Sequence, residues 1–153
     1  MYSRILCPID GSATSERGLD EALRLARDQK ARLRLLYVVD AHLAAVDPYG
    51  TVNIADLMAS SRAFGNELLE RALARAKVEG VEAEGATLDT LSGPVGETVT
   101  DDARNWKAEM IVMGTHGRRG VRRVVMGSDA ELVVRTSPVP VLLVRAPEGE
   151  AAG

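Results

Sequence analysis

Apolar positions along this chain fall into two alternating patterns: short, nearly continuous runs, and longer stretches with helical spacing. Ile5-Leu6-Cys7-Pro8-Ile9 is the first run, and Asp10-Gly11-Ser12 follows it with turn-forming residues. From about Ser15 to Gln29, Leu19, Ala22, Leu23 and Ala26 recur at intervals of three and four, which predicts an amphipathic helix. Leu33 to Val39 is apolar almost throughout, as a strand covered on both faces must be. Asp40 to Asn53, with Pro48 and Gly50, predicts an irregular excursion. A long helical pattern runs from Ile54 to Val78, and Gly80 is placed to end it in the left-handed conformation. Glu84–Leu91 predicts a third strand. Gly93-Pro94 opens a helix reaching about Lys107, with proline at its first position. Met110–Met113 predicts a fourth strand, Gly114–Gly127 a loop, Ser128–Arg135 a short helix and Val141–Arg145 a fifth strand.

Strands that alternate with helices in this way predict an α/β domain with a doubly wound, open parallel sheet and helices on both faces, Rossmann-like or flavodoxin-like. Ligands of such sheets bind beyond the carboxyl ends of the strands, where the strand order reverses. Asp10 and Gly114, at the ends of the first and fourth strands, are therefore expected beside one site. Neither a repeat nor a second domain is evident. Residues 1–146 read as one domain and 147–153 as a polar tail.

Composition narrows the function classes. The chain has 153 residues, enough for one sizeable core, and 46% of them are hydrophobic. A formal charge of -3 and an aromatic content of 3% argue against nucleic acid as a partner. A lone cysteine excludes an internal disulfide and fits a reducing compartment, and Cys7 lies in an apolar strand where a buried, inert thiol is expected. No secretory segment and no apolar run of roughly 18 residues is present, so a cytoplasmic protein without a membrane partner is expected.

Candidate chemistry concentrates in one segment, Gly114-Thr115-His116-Gly117, then nine residues, then Gly127-Ser128. Glycine lets backbone N–H groups approach an anion closely, and a helix starting at Gly127-Ser128 would offer free N–H groups to it. Ser128 and Glu131 have the spacing of a capping box. Arg118, Arg119, Arg122 and Arg123 form a positive cluster between the glycines, with donors suited to phosphate. The plainer alternative is that these glycines only turn the chain and the arginines only solvate a surface. His116 is open to three readings, a general base, an anion contact or an ordinary surface histidine. Asp10 likewise reads as a ligand contact or as a turn residue. There is no Gly-x-x-x-x-Gly-Lys-Ser/Thr loop, no Gly-x-Gly-x-x-Gly turn after the first strand and no Cys/His metal spacing. These absences count against a P-loop enzyme, a dinucleotide oxidoreductase and a zinc protein.

The Gly-x-x-Gly, nine residues, Gly-Ser pattern resembles the signature of the ATP-binding branch of the universal stress protein family. Cys7-Pro8-Ile9-Asp10-Gly11-Ser12 resembles that family's first strand and turn, Leu35-Leu36-Tyr37-Val38-Val39 its second strand and Ser137–Val144 its last. The resemblance covers essentially the whole chain. It implies a five-stranded sheet of order 3-2-1-4-5 and a homodimer formed through the strand Val141–Val144. It implies ATP, or AMP or ADP, as the bound cofactor, alone or with Mg²⁺ or Mn²⁺. In that case Asp10 would hold the ribose, with Pro8 and Ile9 on the adenine side and the Val38 backbone at the adenine edge. Gly114 would lie against the ribose, and Gly117, Gly127 and Ser128 would surround the phosphates. Thr115, His116, Arg118 and Arg119 sit in the same loop. Asp129 departs from the family, which has an apolar residue there. It would mark metal-dependent triphosphate binding, weaken ATP relative to AMP, or only stabilise its own helix. The implied function is a nucleotide-binding regulatory module of the stress response with a protein partner. The alternatives are a slow ATPase or autophosphorylating phosphotransferase, and a structural dimer with an empty site.

Overall fold

Residues 1–41, 49–90, 92–116 and 126–146 are described by the computed structural model. Along them run β1 (Arg4–Pro8), α1 (Ala13–Gln29), β2 (Arg32–Val39), α2 (Ile54–Val78), β3 (Ala83–Asp89), α3 (Val95–Trp106), β4 (Met110–Gly114), α4 (Ser128–Thr136) and β5 (Val141–Val144). The strands form one sheet in the order β3-β2-β1-β4-β5, and every neighbouring pair is parallel. This is the doubly wound α/β sheet expected, with its order reversing between β1 and β4.

The two-residue period of the strands divides their side chains between two layers. Ile5 and Cys7 of β1, with Leu33, Leu35, Tyr37 and Val39 of β2, pack under α1 and α2 together with Leu19, Leu23, Leu68 and Leu69. Leu6 and Leu36 point the other way, to Val99 and Ala103 of α3 and Val133 of α4. Ile5, Leu6, Leu33, Leu35, Leu36 and Ile111 are wholly excluded from solvent. Burying such a side chain contributes about 1.5–3 kcal/mol, which explains why the central strands read as unbroken apolar runs.

Close backbone approach makes the layer under α1 and α2 possible at Gly65 of α2, where a Cβ would lie 2.0 Å from the Tyr37 ring. The Tyr37 hydroxyl is satisfied by Ser61 at 3.1 Å. On the opposite layer Arg34 makes a bidentate pair with buried Asp102 at 2.8 and 2.9 Å. That hydrogen bonding raises the Arg34 pKa further above its ordinary value. The Arg4 guanidinium stacks on Trp106 at 4.5 Å.

Element ends differ from expectation where tertiary contacts decide them. α1 begins at Ala13, because Ser12 is its cap and accepts from Ser15 N–H at 3.2 Å. β1 ends at Pro8, although Ile9 N–H still donates to Leu36 O at 2.8 Å. β3 stops at Asp89, short of Leu91, which lies outside the described residues. Pro94 is the cap residue of α3, not its first helical residue. Gly80 follows the last turn of α2 with φ of 72°, the left-handed ending expected of it. The excursion 40–53 is described only in part, at 40–41 and 49–53, and the tail 147–153 lies outside the described residues. Among the described residues no helix is long and apolar enough to cross a membrane.

Cys7 is fully buried, and desolvation, with a smaller push from Glu16, raises its pKa to about 12. A thiol raised in the folded state stabilises the fold fully below its unfolded pKa of about 8.5. That contribution is lost as pH rises from there through about 12. Cys7 is therefore expected to resist an aromatic disulfide reagent at pH 8 in the folded protein and to react at once in denaturant. Rapid reaction without denaturant would contradict this burial.

Candidate functional site

The turn after β1 is built by short polar side chains. Asp10 Oδ1 accepts from Ser12 N–H at 2.8 Å, and Asp10 N–H donates to Ser15 Oγ at 3.0 Å. Asp10 thus does act as a turn residue, with a half-buried carboxylate at the strand end. Ser15 is buried, so the turn is anchored from inside.

β4 ends beside this turn. A Cβ on Gly114 would lie 2.7 Å from both the carbonyl carbon and the oxygen of Thr14, and one on Gly18 would lie 3.1 Å from Gly114 N. The missing side chain at Gly114 is therefore used by α1, whose first turn packs directly on the strand backbone. Thr14 Oγ1 donates to the His116 carbonyl, tying the exit of β4 to the same helix.

Thr115 joins three elements. Its N–H donates to Val144 O of β5 at 3.0 Å, its carbonyl accepts from Gly127 N–H at 2.7 Å, and its hydroxyl meets His116 Nδ1 at 2.7 Å. The Thr115–Gly127 bond thereby holds the start of α4 at the carboxyl end of β4. Gly127 is the cap of α4, at φ of -61°, with no side-chain cap bond. The expected capping box is therefore corrected: Ser128 is the first helical residue and is exposed, and Glu131 N–H donates to Gly127 O. The N–H groups of the first helical turn have no partner within the helix, which is the donor set that suits an anion.

Asp129 turns toward α3, where its Oδ1 accepts from Gly96 N–H at 3.2 Å. Pro8 and Val38 are half-buried, and Val38 packs in the layer under α3 and α4. Ile9 is buried in the opposite layer. Asp10, Gly114, His116, Gly127 and Ser128 gather around the switch point. Gly117, Arg118 and Arg119 lie outside the described residues, as do Arg122, Arg123 and His42. Sequence reading missed Thr14, Ser15, Gly18 and Gly96. A run of small polar residues after Asp10 was the available signal for the first two.

A groove of about 590 Å³ lies elsewhere, between the outer strand β3 and α3. Asp89, Glu97, Asp101 and Asp102 line it. Asp89 is paired with Arg62, Asp101 with Arg104 and Asp102 with Arg34, so these three cations, among the described residues, are already engaged. Its walls suit a polyanion poorly, and it sits two strands from the switch point.

Gly114→Ala is expected to lower stability by about 1–3 kcal/mol, since backbone must shift to admit the methyl group. Gly127→Ala is expected to cost less, because φ of -61° suits any residue. Denaturant midpoints of the two variants measure this, and equal losses would contradict the packing role of Gly114.

Residues 1–145 match the model of the Universal stress protein family. A universal stress protein of Methanocaldococcus jannaschii is 30% identical over 151 residues, covering 98% of this chain and 86% of its own. A solved protein of the universal stress protein family from Burkholderia pseudomallei is 33% identical, covers 95% of this chain and 97% of its own, and superposes with a TM-score of 0.78. Two more distant structures, both 23% identical, are complexes. One is a universal stress protein with cAMP, covering 94% of this chain and 97% of its own at a TM-score of 0.66. The other is the Archaeoglobus fulgidus protein with dAMP, covering 94% and 98% at 0.65. The match over nearly the full length, on the same strand order, means that this chain belongs to the universal stress protein family.

Proposed function

We propose that the chain binds an adenine nucleotide, ATP or its mono- and diphosphate relatives, at the switch point between β1 and β4. In this reading it acts as a dimeric regulatory module of the stress response. The observation that carries the reading is the Thr115–Gly127 hydrogen bond, which holds the N–H-bearing start of α4 at the carboxyl end of β4. The Asp10 turn closes the same crevice from β1. Supporting it, relatives of the same fold are complexed with cAMP and dAMP, both adenine nucleotides. Asp10 then takes the ribose, Pro8 and Ile9 flank the adenine, and the Val38 backbone meets its edge. Gly114 lies near the ribose, and Gly127 and Ser128 receive phosphate. Gly117, His116, Arg118 and Arg119 complete the loop around the phosphates. A divalent cation, Mg²⁺ or Mn²⁺, would supply charge neutralisation to a triphosphate.

Dimerisation through Val141–Val144 is the second part of the proposal. β5 is an outer strand of four apolar, half-buried residues, and such an edge is a ready pairing surface. Nucleotide would regulate a protein partner only by binding one conformation better than another.

Protein purified without added nucleotide is expected to release adenine nucleotide on denaturation. Once emptied, it is expected to bind ATP, ADP or AMP with a Kd on the order of 1 µM. Gly127→Ala should weaken binding about tenfold, or 1.4 kcal/mol, as a methyl group obstructs the anion's approach. Sedimentation should give the mass of two chains. Absence of both release and binding would overturn the nucleotide reading, and a monomer would overturn the dimer.

A further inference from the structure

β3 is the outermost strand beside β2, and among the described residues no strand pairs with its far side. Leu33 N–H donates to Glu82 O and Thr90 N–H donates to Val39 O, so the even-numbered positions along β3 hydrogen-bond to β2. Backbone direction alternates along a strand, and Gly85 and Thr87 therefore turn their N–H and C=O groups to the open edge. β3 spans seven residues, against four in β5, which is length enough to hold a further strand in register.

α2 closes one face of that edge. Arg62 pairs with Asp89, the Thr87 hydroxyl donates to Asn66, and Leu69 and Leu73 lie over Gly85. The other face is open. Ala86 and Leu88 point to the layer of α3, and that helix stands back from β3 to leave the groove of about 590 Å³. Glu97, Asp101 and Asn105, each one helical turn from the next, line its α3 wall.

Glu97 and Asp101 are exposed, and Glu97 forms no ion pair among the described residues. Its carboxylate lies over Gly93, where a Cβ would come within 2.6 Å of Glu97 Oε2. Asp101 pairs with Arg104 of its own helix, in an exposed bridge that an incoming cation can replace at small cost. Like charges four residues apart on a helix repel, and a cation placed between them relieves that repulsion. Four helical residues rise about 6 Å, close to the roughly 6.6 Å between alternate residues of an extended chain. Cationic side chains at positions i and i+2 of such a chain would meet Glu97 and Asp101 in turn.

We propose that the outer edge of β3 and the groove beside it form a docking site for an extended basic segment of a partner protein. The segment adds as a sixth strand and directs alternate Lys or Arg side chains to α3. Edge and wall together identify the occupant: the carboxylates repel an acidic segment, and a helical one cannot use the open backbone. This gives a chemistry to the protein partner of the regulatory reading, and it needs no nucleotide, so its failure leaves nucleotide binding intact.

The test is fluorescence anisotropy with three labelled eight-residue peptides. One alternates Arg and Thr, the second alternates Glu and Thr, and the third is the Arg peptide with methylated backbone nitrogens. Saturable binding of the Arg peptide is expected, weakened about tenfold in the Glu97→Gln, Asp101→Asn double variant. The Glu peptide and the methylated peptide should not bind, and the Arg peptide should slow hydrogen exchange at the Gly85 and Thr87 amides. Equal binding of the methylated peptide would reduce the effect to attraction between opposite charges and overturn strand addition. Unchanged affinity in the double variant would overturn the role of the α3 wall, and no binding of the Arg peptide at about 1 mM would overturn the whole proposal.

Discussion

The end of β4 lies against the first turn of α1 with no side chain between them, and the geometry of the switch point depends on that contact. Gly114 and Gly18 face each other across it, and either Cβ would meet backbone at 3.1 Å or less. Because strand and helix come so near, the Thr14 hydroxyl reaches the His116 carbonyl. Thr115 is then in place to join β5 and Gly127. The direction of the chain leaving β4 and the position of the α4 N-terminus are consequently set by rigid elements. A larger residue at Gly114 would disturb all of these bonds at once.

Among the described residues, the charges in the first turn of α4 are carboxylates. The first-turn N–H groups of α4 have no partner within their own helix, and Asp129 and Glu131 occupy that turn. α3 lacks a side-chain cap of its own and takes one from Asp129. Two helices are thereby joined through one carboxylate. The groove between β3 and α3 begins at that same turn, with Gly93, Pro94 and Glu97 in its wall.

Much of the fold was legible because doubly covered strands must be apolar on both faces. Ile5–Ile9, Leu33–Val39 and Met110–Met113 announced themselves for that reason, and topology alone brought Asp10 and Gly114 to one crevice. What escaped was set by partners distant in sequence. Ser12, Thr14 and Ser15 are all competent to cap a helix; Ser12 does so, while Thr14 donates to the His116 carbonyl beyond β4. Gly114 read as a ligand-facing glycine, yet its missing side chain is used by Thr14. Asp129 read as a question about phosphate, and its partner proved to be Gly96, 33 residues earlier. Ser128 matched a local capping pattern, but Gly127 took the cap position because Thr115 holds its N–H.

Amide chemical-shift mapping during addition of ATP with Mg²⁺ tests the central claim most directly, because it reports where the nucleotide sits. The account predicts shifts clustered at Asp10–Ser15, Val38, Thr115–His116 and Gly127–Asp129, spreading to Gly96 through the carboxylate that joins the two helices. Shifts confined to the β3–α3 groove, around Thr87–Thr90 and Asp101–Asn105, or no shifts at saturating ATP, would contradict it.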